Sequence, residues 1–391
     1  MQQYDLRQLL SLGTVMALTP ALRLFPSQAA AGAGRAGWLT PLFALPFVSG
    51  WAWAMSRFWA ERRGDEQFPD LLLRLGGRRF GKCALAVFTL WAFVYAGFVL
   101  RSGSDRLVGT VYPGAPPALF TQLMGLLALA ASLSGPRTLV RVGRMLLPAM
   151  LGVLLLLLGW ALFSADTDNL WPLGTEYLLP TIKTSIIPLN IAAGAGTALC
   201  FLAGGLRQKK PLFPALLRWS AGLCLLLSLL SAAVTGAFGA ELTAKLARPF
   251  FVLARTLVFF RSLERVEALI VMLWIFPDFL MTAVFLWAGQ YSLRLLCGFR
   301  PDTERHPYPD LAQGRFLIWL SGAGVTVFAL LLAPDPAALE CWSVSVIPAA
   351  NLGFVFGVLP LVYFIGKREE LHAGEPRPPR PRLRGNFRFL P

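Results

Sequence analysis

The sequence predicts an all-α integral membrane protein of ten transmembrane helices. Three observations carry this reading. Hydrophobic residues make up 56% of the 391 positions and charged residues only 15%, against roughly 25% charged in a soluble domain. Ten apolar stretches recur along the chain, each close to the ~20 residues that a helix rising ~1.5 Å per residue needs to cross the hydrocarbon core. The connections alternate between Arg/Lys-rich and Arg/Lys-poor, and cytoplasmic loops are the ones that retain Lys and Arg.

The first stretch, Leu6–Pro26, is a spanning segment rather than a cleavable signal, because nine more follow it. The second, Trp38–Ala60, leads into 61–80, where Arg62, Arg63, Arg74, Arg78 and Arg79 mark a cytoplasmic connection. The third and fourth, Gly81–Leu100 and Pro117–Ser134, end at another cytoplasmic turn holding Arg137, Arg141 and Arg144. The fifth, Arg144–Ser164, closes a first half of the chain. The sixth, Thr184–Leu206, returns to the cytoplasm at Arg207, Lys209 and Lys210. The seventh and eighth, Pro214–Phe238 and Val266–Cys297, end at Arg300 and Arg305, again inside. The ninth, Phe316–Pro334, meets the loop 335–342, which has no basic residue and reads as outside. The tenth, Ser343–Gly366, brings the C terminus back, so both termini are expected in the cytoplasm. Residues 1–366 therefore read as one domain of two five-segment repeats, about 5–165 and 175–366. An odd number of spans per half inserts the second repeat with opposite orientation.

One connection breaks the charge rule. Residues 240–265 should lie outside, yet they hold Lys245, Arg248, Arg255, Arg261 and Arg265 around the apolar run Pro249-Phe250-Phe251-Val252-Leu253. This pattern predicts an amphipathic helical lid along the outer surface. The tail 367–391 carries Glu375-Pro-Arg-Pro-Pro-Arg-Pro-Arg382, a composition that favours an extended, unpacked cytoplasmic segment.

Composition excludes several function classes. The net charge of +15 is gathered mostly at the cytoplasmic side, where it orients the chain in the lipid bilayer and meets anionic headgroups. No basic patch is interleaved with aromatics, so no nucleic-acid partner is expected. Cys83, Cys200, Cys224, Cys297 and Cys341 form no CxxC pair and read as packing thiols, with neither a disulfide framework nor a metal site. Gly32, Gly34 and Gly37 spell GxGxxG but follow a helix rather than a strand. Asp166, Asp168 and Asn169 lack the remaining calcium-loop positions. The only histidines, His306 and His372, fall in cytoplasmic parts, which leaves no haem ligand or Ser-His pair in the bilayer. No enzyme constellation and no cofactor is expected.

What chemistry remains lies inside the spans. Thr19-Pro20 sits near mid-depth in the first, and proline removes a backbone donor and crowds the preceding turn. The sixth carries Pro188 and then Ala192-Ala193-Gly194-Ala195-Gly196, where two glycines weaken the helix. Interruptions in the first member of each repeat point to a midplane site. Pro46, Pro148, Pro348 and Pro360 also interrupt spans, so breaks alone do not single out these two. Asp278 lies deep in the eighth span beside Pro277, and Arg23 lies one turn beyond Thr19, which puts the two charges at similar depth. A charge there costs ~2.5–3.5 kcal/mol and needs a partner or a cavity. Two readings stay open: Arg23 and Asp278 line one cavity, pairing with each other or with a zwitterion, or Arg23 snorkels outward and Asp278 is met by backbone freed at Pro277. Glu267, Trp274 and Asp278 share one helix face. The candidate ligand-binding residues are Thr19, Pro20, Arg23, Ala193, Gly194, Gly196 and Asp278.

Three stretches give the chain a family resemblance. They are Leu18-Thr-Pro-Ala-Leu-Arg-Leu-Phe-Pro-Ser27 followed by Ala36-Gly-Trp-Leu39, Arg248-Pro-Phe-Phe-Val-Leu-Ala-Arg255, and Leu263-Glu-Arg-Val-Glu267 leading to Leu273-Trp-Ile275. In their order and spacing the chain resembles the B-subunit family of spore germinant receptors, within the amino acid permease superfamily, over about residues 5–366. The resemblance implies the leucine-transporter-like fold of five plus five inverted helices with broken helices one and six. It implies recognition of a small nutrient, often an amino acid, at those breaks. It also implies A-type and C-type partner subunits, and the cell membrane or inner spore membrane as location. Many relatives have a Gly-polar-Gly turn where Thr19-Pro20-Ala21 stands; Pro20 has no amide to offer a carboxylate, and Arg23 is the alternative source of charge. The function that follows is nutrient sensing for germination. The competing readings are a proton- or sodium-coupled amino acid permease, with Asp278 as coupling acid, and a scaffold that binds nothing.

Overall fold

The computed structural model describes residues 4–373 apart from 63–65, 78, 113, 172–173, 207–211, 257–265, 300–311 and 334–335. Among the described residues the chain is helical throughout, and the one extended pairing is an isolated parallel bridge between Tyr4 and Leu206. The first half comprises α1 (Leu6–Arg23), α2 (Phe25–Ala33), α3 (Thr40–Ala60), α4 (Phe68–Leu75), α5 (Phe80–Thr110), α6 (Pro117–Leu133) and α7 (Pro136–Phe163). The second comprises α8 (Leu178–Thr184), α9 (Ile186–Leu202), α10 (Phe213–Lys245), α11 (Pro249–Thr256), α12 (Val266–Leu296), α13 (Ala312–Leu331), α14 (Pro336–Cys341), α15 (Ile347–Leu352) and α16 (Leu359–Ala373). Two π-helical turns, Trp342–Val346 and Gly353–Val358, flank α15.

All ten apolar stretches are helical. Among the described residues six helical spans are long and apolar enough to cross a membrane, from Phe80–Thr110 to Ala337–Arg368, and a bent pair, Leu6–Arg23 with Phe25–Ala60, passes the same test. Pro117–Leu133 and Phe316–Leu331 are shorter apolar helices. Large apolar side chains such as Leu90, Leu126, Leu127 and Met145 face outward, which only a lipid surround makes favourable on this scale. The molecule is a multi-pass membrane protein.

Both interruptions occur, but displaced from where proline and glycine predict them. The first span stays helical through Pro20 and turns by 55° at Leu24. Pro20 leaves the Met16 carbonyl without its helical donor, yet Leu24 N–H still reaches the Pro20 carbonyl at 3.2 Å. Pro26 then opens α2, in a first turn whose amides have no helical acceptor anyway. The second interruption falls at Ser185, between α8 and α9, where its N–H is shared between the Thr181 and Ile182 carbonyls at 3.0 and 3.3 Å. The run from Ala192 to Gly196 remains within α9. Its glycines permit close approach instead: the Trp51 ring lies where a Cβ on Gly196 would stand.

Helix α1 is central, packing against α7, α9 and α12, while α5 and α12 lie together along much of their length. The amphipathic stretch after the seventh span forms α11, which buries Phe250, Phe251, Leu253 and Ala254 against α1, α2, α10 and α12. Its sequel from 257 to 265, the tail from 374, the basic positions 207–210 and 300–306, and the Glu267 side chain lie outside the described residues. Cys200 and Cys224 are buried as expected, but Cys83, Cys297 and Cys341 are exposed.

Candidate functional site

The bend at Leu24 opens a cavity of about 480 Å³, within the 300–1,000 Å³ usual for small-molecule sites. Helix α1 contributes Thr19, Pro20 and Arg23 to its wall, and α5 contributes Tyr95, Phe98, Ser102 and Arg106. Asn190 and Gly194 come from α9, Met281 from α12, and Ser343, Pro348 and Asn351 from the last span. Apolar side chains such as Val99, Ile187 and Leu352 fill the rest.

Two guanidinium groups and one carboxylate set the electrostatics. The Arg106 Nη2 pairs with the Asp278 Oδ2, with both side chains almost fully buried. Thr19 Oγ1 donates to the other carboxylate oxygen at 2.8 Å, and Arg106 Nη1 donates to Ser102 Oγ at 3.0 Å. An unpaired charge at such a position costs several kcal/mol, so the three groups explain one another. Arg23 is satisfied differently. It donates to Ser102 Oγ and, at 2.6 Å, to Ser343 Oγ, and its guanidinium lies 5.9 Å from the Phe98 ring centre. Both of these hydrogen-bond partners are neutral. Among the described residues the cavity wall therefore carries one positive charge more than it balances. Asn190 adds a buried Oδ1 with no protein donor.

The lid meets this cluster from the side. Arg248, just before α11, lies 3.4 Å from Asp105, the residue next to Arg106. Burial lowers the Arg248 pKa from its ordinary value, with Asp105 opposing that shift. Arg255 stacks 4.9 Å above Phe251, whose ring centre lies 5.3 Å from that of Trp274.

A family model described as spore germination protein matches residues 5–303. The chain belongs to the spore germination protein family. The crystal structure of MhsT in complex with L-phenylalanine is similar in fold, with a TM-score of 0.63 over 93% of this chain and 88% of that one, at 15% identity. That likeness shows the fold alone, the leucine-transporter-like one. No curated protein matches.

In this member of the spore germination family, the residues singled out from sequence are not all brought together. Thr19, Pro20, Arg23 and Gly194 line the cavity. Asp278 stands behind the wall rather than in it, and its partner is Arg106, not Arg23: α5 and α12 lie side by side, so Arg106 reaches the carboxylate first. Ala193 and Gly196 do not line the cavity, because the helix stays closed there and turns Gly196 toward Trp51. Arg106, Ser102 and Ser343 were not anticipated. Hydropathy ends the third span at Leu100, where Arg101-Ser-Gly-Ser-Asp-Arg106 begins to read as a loop. The helix runs ten residues further, to Thr110. The available signal was spacing: Ser102 and Arg106 stand four apart, on the face that Tyr95 and Val99 continue.

Proposed function

We propose that this chain is the membrane subunit of a spore nutrient-germinant receptor. It binds a small nutrient, an amino acid in the first instance, in the cavity at the bend of the first span, and occupancy signals germination through A-type and C-type partner subunits. The observation that carries the reading is Arg23, held by two neutral serines and facing the cavity with its charge unbalanced. Family membership and fold supply the context. The proposed site residues are Thr19, Pro20, Arg23 and Gly194 at the wall, with Asp278 fixing Arg106 behind it. The expected two-repeat division, about 5–165 and 175–366, and a cytoplasmic tail from 367 are part of the same proposal.

A coupled permease is the competing function, and the transporter fold favours it in general. The particular acid it would use is engaged, however: Asp278 is already held by Arg106 and Thr19. Deleting the gene should abolish nutrient-triggered germination while leaving germination by other routes intact. Proteoliposomes holding the chain should show no proton- or sodium-driven accumulation of labelled amino acids. Driven uptake would establish the permease instead.

A further inference from the structure

We infer that this cavity recognises its ligand as a carboxylate anion and does not require an ammonium group. The inference deepens the nutrient-binding reading and rests on it. Among the described residues two cationic side chains, Arg23 and Arg106, reach the wall, and no Asp or Glu does. The nearby carboxylates are engaged elsewhere: Asp278 is turned away into its bond with Arg106, and Asp105 faces Arg248. A ligand that brings one negative charge makes the site neutral; a ligand with a positive charge and no negative one makes it worse. Arg23 is built for the task. A guanidinium offers five N–H donors in a planar fork, and its two serine bonds leave donors free for a carboxylate. Those serines sit on different helices, α5 and the π-turn of the last span, so they hold the fork from both sides.

The other end of a small nutrient meets neutral groups. Asn190 Oδ1 accepts no protein hydrogen bond, and it accepts from an amino or a hydroxyl group alike. Tyr95 and Asn351 add further neutral polar groups on the wall. The chemical class is therefore 2-substituted carboxylates: 2-amino and 2-hydroxy acids together, against their amides and amines.

Binding to the purified full chain in nanodiscs tests this, with L-alanine, L-leucine and L-phenylalanine as probes, each beside its 2-hydroxy acid and its primary amide. For the side chain that binds, the amino and hydroxy acids should agree within a few-fold. The amide should be weaker by at least about tenfold, the loss that follows removal of a hydrogen bond to a charged group. Arg23→Gln should bring acid and amide together. Arg23→Lys keeps the charge and should retain the acid's advantage, and an unchanged ligand-free melting temperature for either variant shows that it folds. An amide that binds as tightly as the acid, or an amino acid that binds where its hydroxy acid does not, overturns the inference and leaves nutrient binding standing. No binding by any probe overturns both.

Discussion

The two interrupted spans share a position in their repeats and little else. The first turns by 55° at Leu24 and brings Thr19 and Arg23 into a polar network that includes Ser102, Arg106, Asp278 and Ser343. The second yields only at Ser185 and then runs as a closed helix of small residues, with Ala192, Ala193, Ala195 and Ala198 nearly or fully buried. It gives the cavity one amide side chain, Asn190, and the open face of Gly194. Charge lies on one side and shape on the other. A symmetric pattern of helix breakers thus does not imply a symmetric division of chemistry.

That contrast can be broken most directly at the buried ion pair. Asp278→Leu leaves Arg106 buried without a counter-charge and should cost on the order of 3–5 kcal/mol, read as the largest fall in melting temperature of any variant here. Adding Arg106→Met should recover most of it, because removing both charges also removes the desolvation cost. If the double variant is as unstable as the single, the pair is not what holds the first span.

Arg23→Gln should act on ligand rather than on fold. Half-maximal nutrient response should rise about ten- to a hundredfold, the range for a hydrogen bond to a charged group, with little change in melting temperature. The second span should show the reverse. Gly196→Ala drives a methyl group into the Trp51 ring and should cost about 1–3 kcal/mol by overpacking, while ligand discrimination between acid and amide stays as it was. Smallest of all, Ser185→Ala removes a hydroxyl that donates to the Ile182 carbonyl at 2.6 Å; an intramembrane hydrogen bond is worth about 0.6 kcal/mol on average. A larger loss there would mean that the second interruption is a working hinge rather than a passive turn.

Sequence reasoning reached the spans because length and hydropathy determine them one segment at a time. It reached Thr19, Pro20 and Arg23 because a charge and a proline inside an apolar run stand out locally. It missed Arg106 because that residue lies past the end of the hydropathy window, although the helix carries it inward. It paired Asp278 with Arg23 because both lie at similar depth, and depth along a helix says nothing of which neighbour stands beside it. It placed the breaks at the helix breakers themselves. In the folded chain the neighbours hold those residues helical and the yielding passes to Leu24 and Ser185, where the packing allows it. The lid was predicted from composition and appears as α11 as far as Thr256.

One feature of the last span bears on how a filled cavity is reported. Ser343, which grips Arg23, is mounted in a π-helical turn, and a second such turn lies beyond α15. A π-turn carries one residue more than an α-turn. Absorbing that residue into ordinary helix rotates everything beyond it by about 100° and advances it by about 1.5 Å. The serine hydroxyl thus ties the ligand-facing guanidinium to a turn that holds one such extra residue, and while that bond lasts the register of the span toward α16 is pinned to Arg23.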